Sequence, residues 1–564
     1  MTQKIPKKIQ LSPKLHQKLQ SLDQTAKDEL TDLIYDLLKQ ASTTEHLLAM
    51  QYLFSCFTMK KYPEEFEDYL PDSPDPAQQR INQIRLAQVE KIRRWEANIL
   101  MVSREEMGHL CYDMNLLAIL GKDPYLFRPN FPVPAESFPL SKPVNLMPFS
   151  QAATEIYRFW EKPDHLPLPD PKWAEDLPAH IKPLYSMPHL DPVPFDPDVA
   201  EKEALDFLSD FLEGTADGDQ LNKVKRPLQY GSFFNSIEKL YTFIKLYLLL
   251  GLKYKILEGK NMERIVDEHY GFNIVLNPLV LGQFEGYVEE TIDQIIQEGE
   301  GVWGIPPTLG SHFWVFQTIL ESMAKEEKET GLPFAPALPV IWNPSYVTPP
   351  EFHLSTPGTC TQTSVTAPVT NEVAIAAMQL FNQAYQVMIR MLSGFFGHYE
   401  IDQTTGIRPP QVNAYFQTAF YPFMTNVIRP LGEMICRLPA DEGFVPNGGK
   451  VPNRCAGPDF LIPVDQLNEG SIKEMTVPFS ELQDYLDAFE KMRISALKLS
   501  EACKTRGYHM AFYQQPDARD FDVSFTYLAE HLERISKNFA AYWTGQMVAP
   551  VSSRGFQNYS STFN

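Results

Sequence analysis

Two carboxylates and a histidine occupy positions where a buried helix face should be apolar. Leu30, Leu33, Ile34, Leu37, Leu38, Ala41, Leu48 and Tyr52 recur at intervals of three and four. That spacing predicts a helix over about 28–59 with one apolar stripe. Glu45 continues the register 34, 38, 41, 45, 48, 52. A second stripe, Trp95, Ile99, Val102, Tyr112 and Leu116, predicts a helix over about 78–120, and Glu106 and His109 continue it. The Glu-x-x-His spacing places both heads on one face, a turn apart. An unpaired carboxylate in a core is costly, so such a group is paired, protonated or bound to metal. Carboxylates with a Glu/His pair at i, i+3, all projecting into a helical bundle, are the ligand set of dinuclear iron and manganese centres. A lone Glu-x-x-His is common in helices; Glu45 on the preceding stripe is what gives this one weight. Glu105, just before the pair, reads as a solvated neighbour, and His46, about 100° around the helix from Glu45, as a surface or interhelical residue. Tyr52, two turns below Glu45 on the same stripe, is the candidate catalytic side chain, as a proton or electron relay, with core packing as its competing role.

These residues need a bundle to bring them together. The chain has 564 residues, enough for two or three domains. Its 47 prolines cluster at 124–148, 163–197 and 333–368, and the proline-poor stretches between them carry helical periodicity. Further helices are predicted at about 229–252, 286–298 and 307–330, then at 371–396, 411–437, 478–503 and 520–545. No run of alternating strands and no short repeat is present, so the fold class is all-α. The expected organisation is an extension (1–27), a helical bundle (28–332) with a long proline-rich crossover (121–228), a linker (333–370) and a C-terminal helical domain (371–564).

Composition narrows the function classes. The net charge of −21 argues against nucleic acid and anionic membrane surfaces as partners. The longest apolar stretch, around Phe243 to Leu252, is too short to span a bilayer. The N-terminus is basic but lacks the apolar core of a secretory signal. Six cysteines form no Cys-x-x-Cys pair, so neither a disulfide framework nor a zinc site is expected. A reducing, cytoplasmic setting follows. No nucleophile elbow or phosphate loop appears.

Several segments, in order, resemble the ferritin-like family named for iminophenyl-pyruvate dimer synthase, enzymes of violacein-type and rebeccamycin-type pathways. They are TTEHLLAMQYLFS (43–55), SREEMGHLCYDMNLLAILGKDP (103–124), LMPFSQAATEIYRFWEKPD (146–164), TIDQIIQEGEG (291–301), SHFWVFQTI (311–319) and CAGPDFLIP (455–463). The resemblance implies a ferritin-like bundle whose first half-site is Glu45, Glu106 and His109. It implies a second half-site from a Glu on the third helix and a Glu-x-x-His on the fourth. There the sequence departs: the carboxylate positions fall on Ser232 and Leu309, while His312 remains. With two carboxylates missing, the expectation is at most one metal ion, iron, manganese or zinc, held by Glu45, Glu106, His109 and His312. The alternative is a metal-free site in which Glu106 and His312 hydrogen-bond across the core. The implied activity is a metal-dependent oxidoreductase of secondary metabolism acting on an aromatic or amino-acid-derived small molecule. Its alternative is a structural or binding member that has lost redox activity.

Overall fold

The computed structural model describes residues 11–133, 143–162, 177–179, 181, 196–257, 284–299, 310–347, 366–398, 409–445, 452–462, 477–508 and 520–547. A short helix, α1 (Pro13–Gln20), precedes the two longest, α2 (Gln24–Thr58) and α3 (Pro76–Ile119). Both long helices start on an aspartate cap: Asp23 accepts from Ala26 N at 2.9 Å, and Asp75 from Ala77 N at 3.0 Å with Pro76 at the first helical position. Then come α4 (Gln151–Trp160), α5 (Pro197–Glu213), α6 (Gly218–Lys225), α7 (Ile237–Lys253), α8 (Phe284–Gly299) and α9 (His312–Thr330). The C-terminal set is α10 (Glu372–Gly397), α11 (Pro410–Thr418), a π-helical run (Ala419–Ile428), α12 (Arg429–Ile435), α13 (Leu482–Arg506) and α14 (Phe521–Trp543). Among the described residues the only sheet is one parallel pair of two-residue strands. The protein is all-α, as the periodicity predicts.

Two helices begin later than their apolar patterns suggest. The predicted 229–252 helix starts at Ile237, because Gly231 takes a positive φ (86°) and Ser236 caps the restart through Lys239 N. Ser232 therefore lies outside any helix, and its Oγ accepts from Phe234 N at 3.0 Å. The predicted 307–330 helix starts at His312, behind Gly310 (φ 102°) and the Ser311 cap. Leu309 lies outside the described residues, as does the aromatic stretch 509–517. The crossover 121–228 contains helices of its own, α4, α5 and α6. Ser150 caps α4, and Ala153, Ile156, Tyr157 and Trp160 form its buried face.

Helix α2 lies at the centre. Every residue from Gln40 to Thr58 is buried except Leu53, so it has neighbours on all sides. It packs on α3 and α7; α8 packs on α7 and α3, and α9 on α4 and α3. One apolar cluster holds Leu33, Leu37, Tyr241, Ile244 and Ile292 and runs on into Phe381, Phe423, Phe489 and Phe539 of the C-terminal helices. A second gathers Tyr52, Trp95, Ile99, Tyr157, Trp160 and Phe316. Each such side chain, fully buried, contributes roughly 1.5–3 kcal/mol. At Gly432 α12 comes so close to α2 that an added Cβ would meet the Phe57 ring at 2.4 Å. No helix among the described residues is long and apolar enough to cross a membrane.

One buried acid links this packing to pH. Asp459 is 7% exposed, accepts from Asn382 Nδ2 at 2.8 Å, and its Oδ2 makes no hydrogen bond. Burial, only partly offset by the Asn382 bond, pushes its carboxyl up to about 7. An unfolded Asp titrates near 3.9. The raised value means the native state holds a proton that the unfolded chain releases. Stability present below about pH 4 is therefore lost as pH rises through about 7. Asp459→Asn, which cannot ionise, is expected to remove roughly 2–4 kcal/mol of this dependence. Urea midpoints of wild type and variant at pH 5 and pH 8 test this; equal pH slopes would refute it.

Candidate metal centre

The bundle brings the four sequence-derived ligand candidates into one buried cluster. Glu45 comes from the middle of α2, Glu106 and His109 from α3, and His312 from the first residue of α9. All four are at most 2% exposed. A fifth donor joins them: Glu161, the residue that ends α4, is 3% exposed. Two groups of donor atoms result, Glu45 with Glu106 and His109, and Glu106 with Glu161 and His312, each drawn together within 4.8 Å.

Glu106 belongs to both groups and divides its oxygens between them. Its Oε2 lies 3.1 Å from His109 Nδ1, and its Oε1 lies 3.0 Å from His312 Nδ1. Glu45 Oε2 is 3.4 Å from His109 Nδ1, and Glu161 Oε2 is 3.3 Å from His312 Nδ1. The two imidazoles stack at a centroid distance of 5.6 Å and an angle of 28°. Surrounding groups fix the outer carboxylate oxygens: Tyr241 Oη donates to Glu45 Oε1 at 2.7 Å, and Tyr52 Oη donates to Glu161 Oε1. Tyr241 belongs to the first apolar cluster, whereas Tyr52, Tyr157 and Phe316 belong to the second, so the donors sit where the two meet. Tyr52, Tyr157 and Phe316 form one aromatic group, with centroids 4.9–5.4 Å apart.

Electrostatics follow from this crowding. Burial pushes Glu45 up to about 7, with Glu106 adding to the shift and His109 opposing it. Burial also works against Glu106, yet His312 and His109 hold it below the usual carboxylate range. Burial disfavours a charged His109 or His312, but the facing carboxylates outweigh it and hold both imidazoles well above their ordinary value. The cluster thus gathers anions that must be balanced by protons or by a cation, and metal binding exchanges one for the other.

The donor set passes a direct test of fit to a metal. Glu106 Oε1 and His312 Nδ1 are buried and face each other at 3.0 Å as a charge pair, without a well-aligned hydrogen bond. The Glu106–His312 contact that a metal-free site would use is present across the core at 3.0 Å. Buried polar atoms without well-aligned hydrogen bonds are costly, and a cation between them would satisfy both. Carboxylate and imidazole suit iron, manganese or zinc. Such buried Glu/His groups could hold a metal ion.

A family model described as Ferritin-like matches residues 38–321, just over half of the chain. The chain belongs to the ferritin-like family. No curated protein and no solved structure matches it.

Within this ferritin-like chain, sequence reasoning missed three acids. Glu161 follows Ala153, Ile156, Tyr157 and Trp160 on one face, so the register that exposed Glu45 also reaches it, once α4 is recognised as a helix. Glu105 is not merely solvated: its Oε2 lies 3.1 Å from His312 Nε2. Glu298, in the last turn of α8, places Oε2 3.1 Å from His109 Nε2. The acid facing the histidines from this side therefore comes from α8. His46 is interhelical, with Nε2 2.7 Å from Tyr385 Oη of α10.

Proposed function

We propose that this protein is a metal-dependent oxidoreductase acting on an aromatic or amino-acid-derived small molecule, of the iminophenyl-pyruvate dimer synthase type. The observation that carries the reading is the buried cluster of three carboxylates and two imidazoles sharing Glu106, with Glu106 Oε1 and His312 Nδ1 facing each other without a well-aligned hydrogen bond. Glu45, Glu106 and His109 would hold one ion; Glu106, Glu161 and His312 offer a second position. Glu161 changes the charge arithmetic behind a limit of one ion, because it returns a carboxylate to the His312 side. A bound iron or manganese ion would supply Lewis acidity and one-electron chemistry at an open coordination position.

The chain's own residues would prepare that position. Tyr241 Oη, donating to Glu45 Oε1, fixes which oxygen faces the ion. Tyr52 Oη holds a proton at Glu161 Oε1, and burial together with Glu161 keeps that phenol protonated. A proton so held, directly against a donor carboxylate, gives Tyr52 its relay role in this reading. Tyr157 and Phe316 close off the same side and exclude water.

The competing reading, a metal-free structural member of the family, makes the opposite prediction for metal content. Protein produced in medium replete with iron, manganese and zinc is expected to carry at least one equivalent of metal per chain by mass spectrometry. Less than about a tenth of an equivalent, after reconstitution as well, would reject the oxidoreductase reading.

A further inference from the structure

Each imidazole of the donor cluster is held from behind by a carboxylate. His109 turns Nδ1 toward Glu106 and Glu45, while Nε2 lies 3.1 Å from Glu298 Oε2 on α8. His312 turns Nδ1 toward Glu106 and Glu161, while Nε2 lies 3.1 Å from Glu105 Oε2 on α3. The arrangement occurs twice, from different helices, and neither outer acid belongs to a donor group. Glu298 and Glu105 reach solvent, with side chains 34% and 29% exposed, whereas His109 and His312 are 2% and 0% exposed. Gln294 Nε2, one turn earlier on α8, donates to Glu298 Oε1 at 2.7 Å and steadies it.

We propose that Glu105 and Glu298 are positioning residues for the metal ligands. Each accepts the Nε2–H of one histidine and so commits that ring's Nδ1 lone pair to the ion position. The proposal rests on the metal-centre reading above. A neutral imidazole carries one N–H, so the bond made by one nitrogen decides what the other can do. A carboxylate acceptor makes that bond roughly twice as strong as a neutral one. It also orients the ring and raises the basicity of the ligating nitrogen. If these contacts were only partly exposed ion pairs, their loss would change little. The same arrangement on both rings argues for more: each Nδ1 faces the shared Glu106, at 3.1 Å from His109 and 3.0 Å from His312, while each Nε2 meets an outer acid.

The test is a Co(II) titration of the metal-stripped full chain, followed by the visible ligand-field bands. Wild type is compared with Glu105→Ala, Glu105→Gln, Glu298→Ala, Glu298→Gln and, as a control, Glu106→Ala. Both outer alanine variants are expected to bind Co(II) about 10–100-fold more weakly, at unchanged stoichiometry and with shifted bands. Glutamine still accepts through its amide oxygen, so those variants are expected to be only about 3–10-fold weaker. Wild-type affinity in all four variants, with binding lost only in Glu106→Ala, overturns the proposal and leaves the metal-centre reading standing. Loss of a whole equivalent in a Glu105 or Glu298 variant makes that acid a ligand and overturns its positioning role. No Co(II) binding in wild type rejects both. Circular dichroism and metal-free melting temperatures report folding. Should an alanine variant fold poorly, the isosteric glutamine variants decide alone, and wild-type affinity in both overturns the proposal.

Discussion

Glu106→Ala is expected to empty both donor groups at once and take metal content toward zero. Glu45→Ala and Glu161→Ala should each impair only one side. The asymmetry follows from the way Glu106 divides its oxygens, Oε2 toward His109 and Oε1 toward His312. Removing it leaves each group with one carboxylate and one imidazole, Glu45 with His109 and Glu161 with His312. Such a pair neither surrounds nor neutralises a divalent ion. Removing Glu45 or Glu161 leaves the opposite group complete. Metal analysis of the three variants beside wild type decides the matter. Wild-type metal content in Glu106→Ala would show that the ion, if any, lies elsewhere. Equal losses in all three would show one indivisible site in place of two groups sharing an oxygen pair.

Three of the five donors were visible in the sequence for a definite physical reason. Glu45, Glu106 and His109 lie inside long helices whose apolar stripes are clear, so a charged side chain on the stripe is conspicuous. His312 came from the family resemblance and not from a stripe, and the structure shows why. It occupies the first turn of α9, where too few preceding residues exist to set a register. Glu161 was hidden by its setting. It ends a ten-residue helix in the gap between two proline clusters, too short for its apolar stripe to stand out before the helix is recognised. The outer acids were less accessible still. Glu105 and Glu298 are partly exposed, and their roles depend on which imidazole nitrogen each meets, a fact of tertiary packing alone.

The helices themselves were largely legible, because period 3.6 and proline punctuation act locally. Their failures were local too. Gly231 and Ser236 interrupt an apolar pattern that otherwise continues from 229, so the break was read through. What no periodicity carries is how distant segments meet. His46 reaches Tyr385 across 339 residues of chain, and Arg128 donates to Tyr385 and to the Phe460 carbonyl. These contacts tie the bundle to the C-terminal helices through polar groups that a binary pattern would place on the surface.

The strongest such tie gives the largest expected stability effect. Glu65→Ala should destabilise the protein by roughly 3–5 kcal/mol. Glu65 follows α2 in a short turn, Pro63–Glu65, and is 1% exposed. Its Oε1 accepts from Arg437 Nη2 at 2.7 Å and Nε at 2.9 Å, and its Oε2 accepts from Tyr62 N at 3.2 Å. Arg437, just past α12, is 2% exposed, and its Nη1 donates to the Glu433 carbonyl at 2.8 Å. Alanine at 65 would leave a guanidinium buried with no carboxylate at its fork, and that uncompensated charge, more than the lost attraction, sets the cost. Removing both charges should therefore be milder than removing one. Glu65→Ala combined with Arg437→Met is expected to be more stable than Glu65→Ala alone, a non-additivity that marks a coupled pair. Thermal and urea unfolding of the two single variants and the double variant close the cycle. A Glu65→Ala protein within about 0.5 kcal/mol of wild type, the range of ordinary surface substitutions, would show that water or another acid reaches Arg437 when Glu65 is gone. The joint between α2 and α12 would then rest on apolar contact, Phe57 against Gly432, and not on charge.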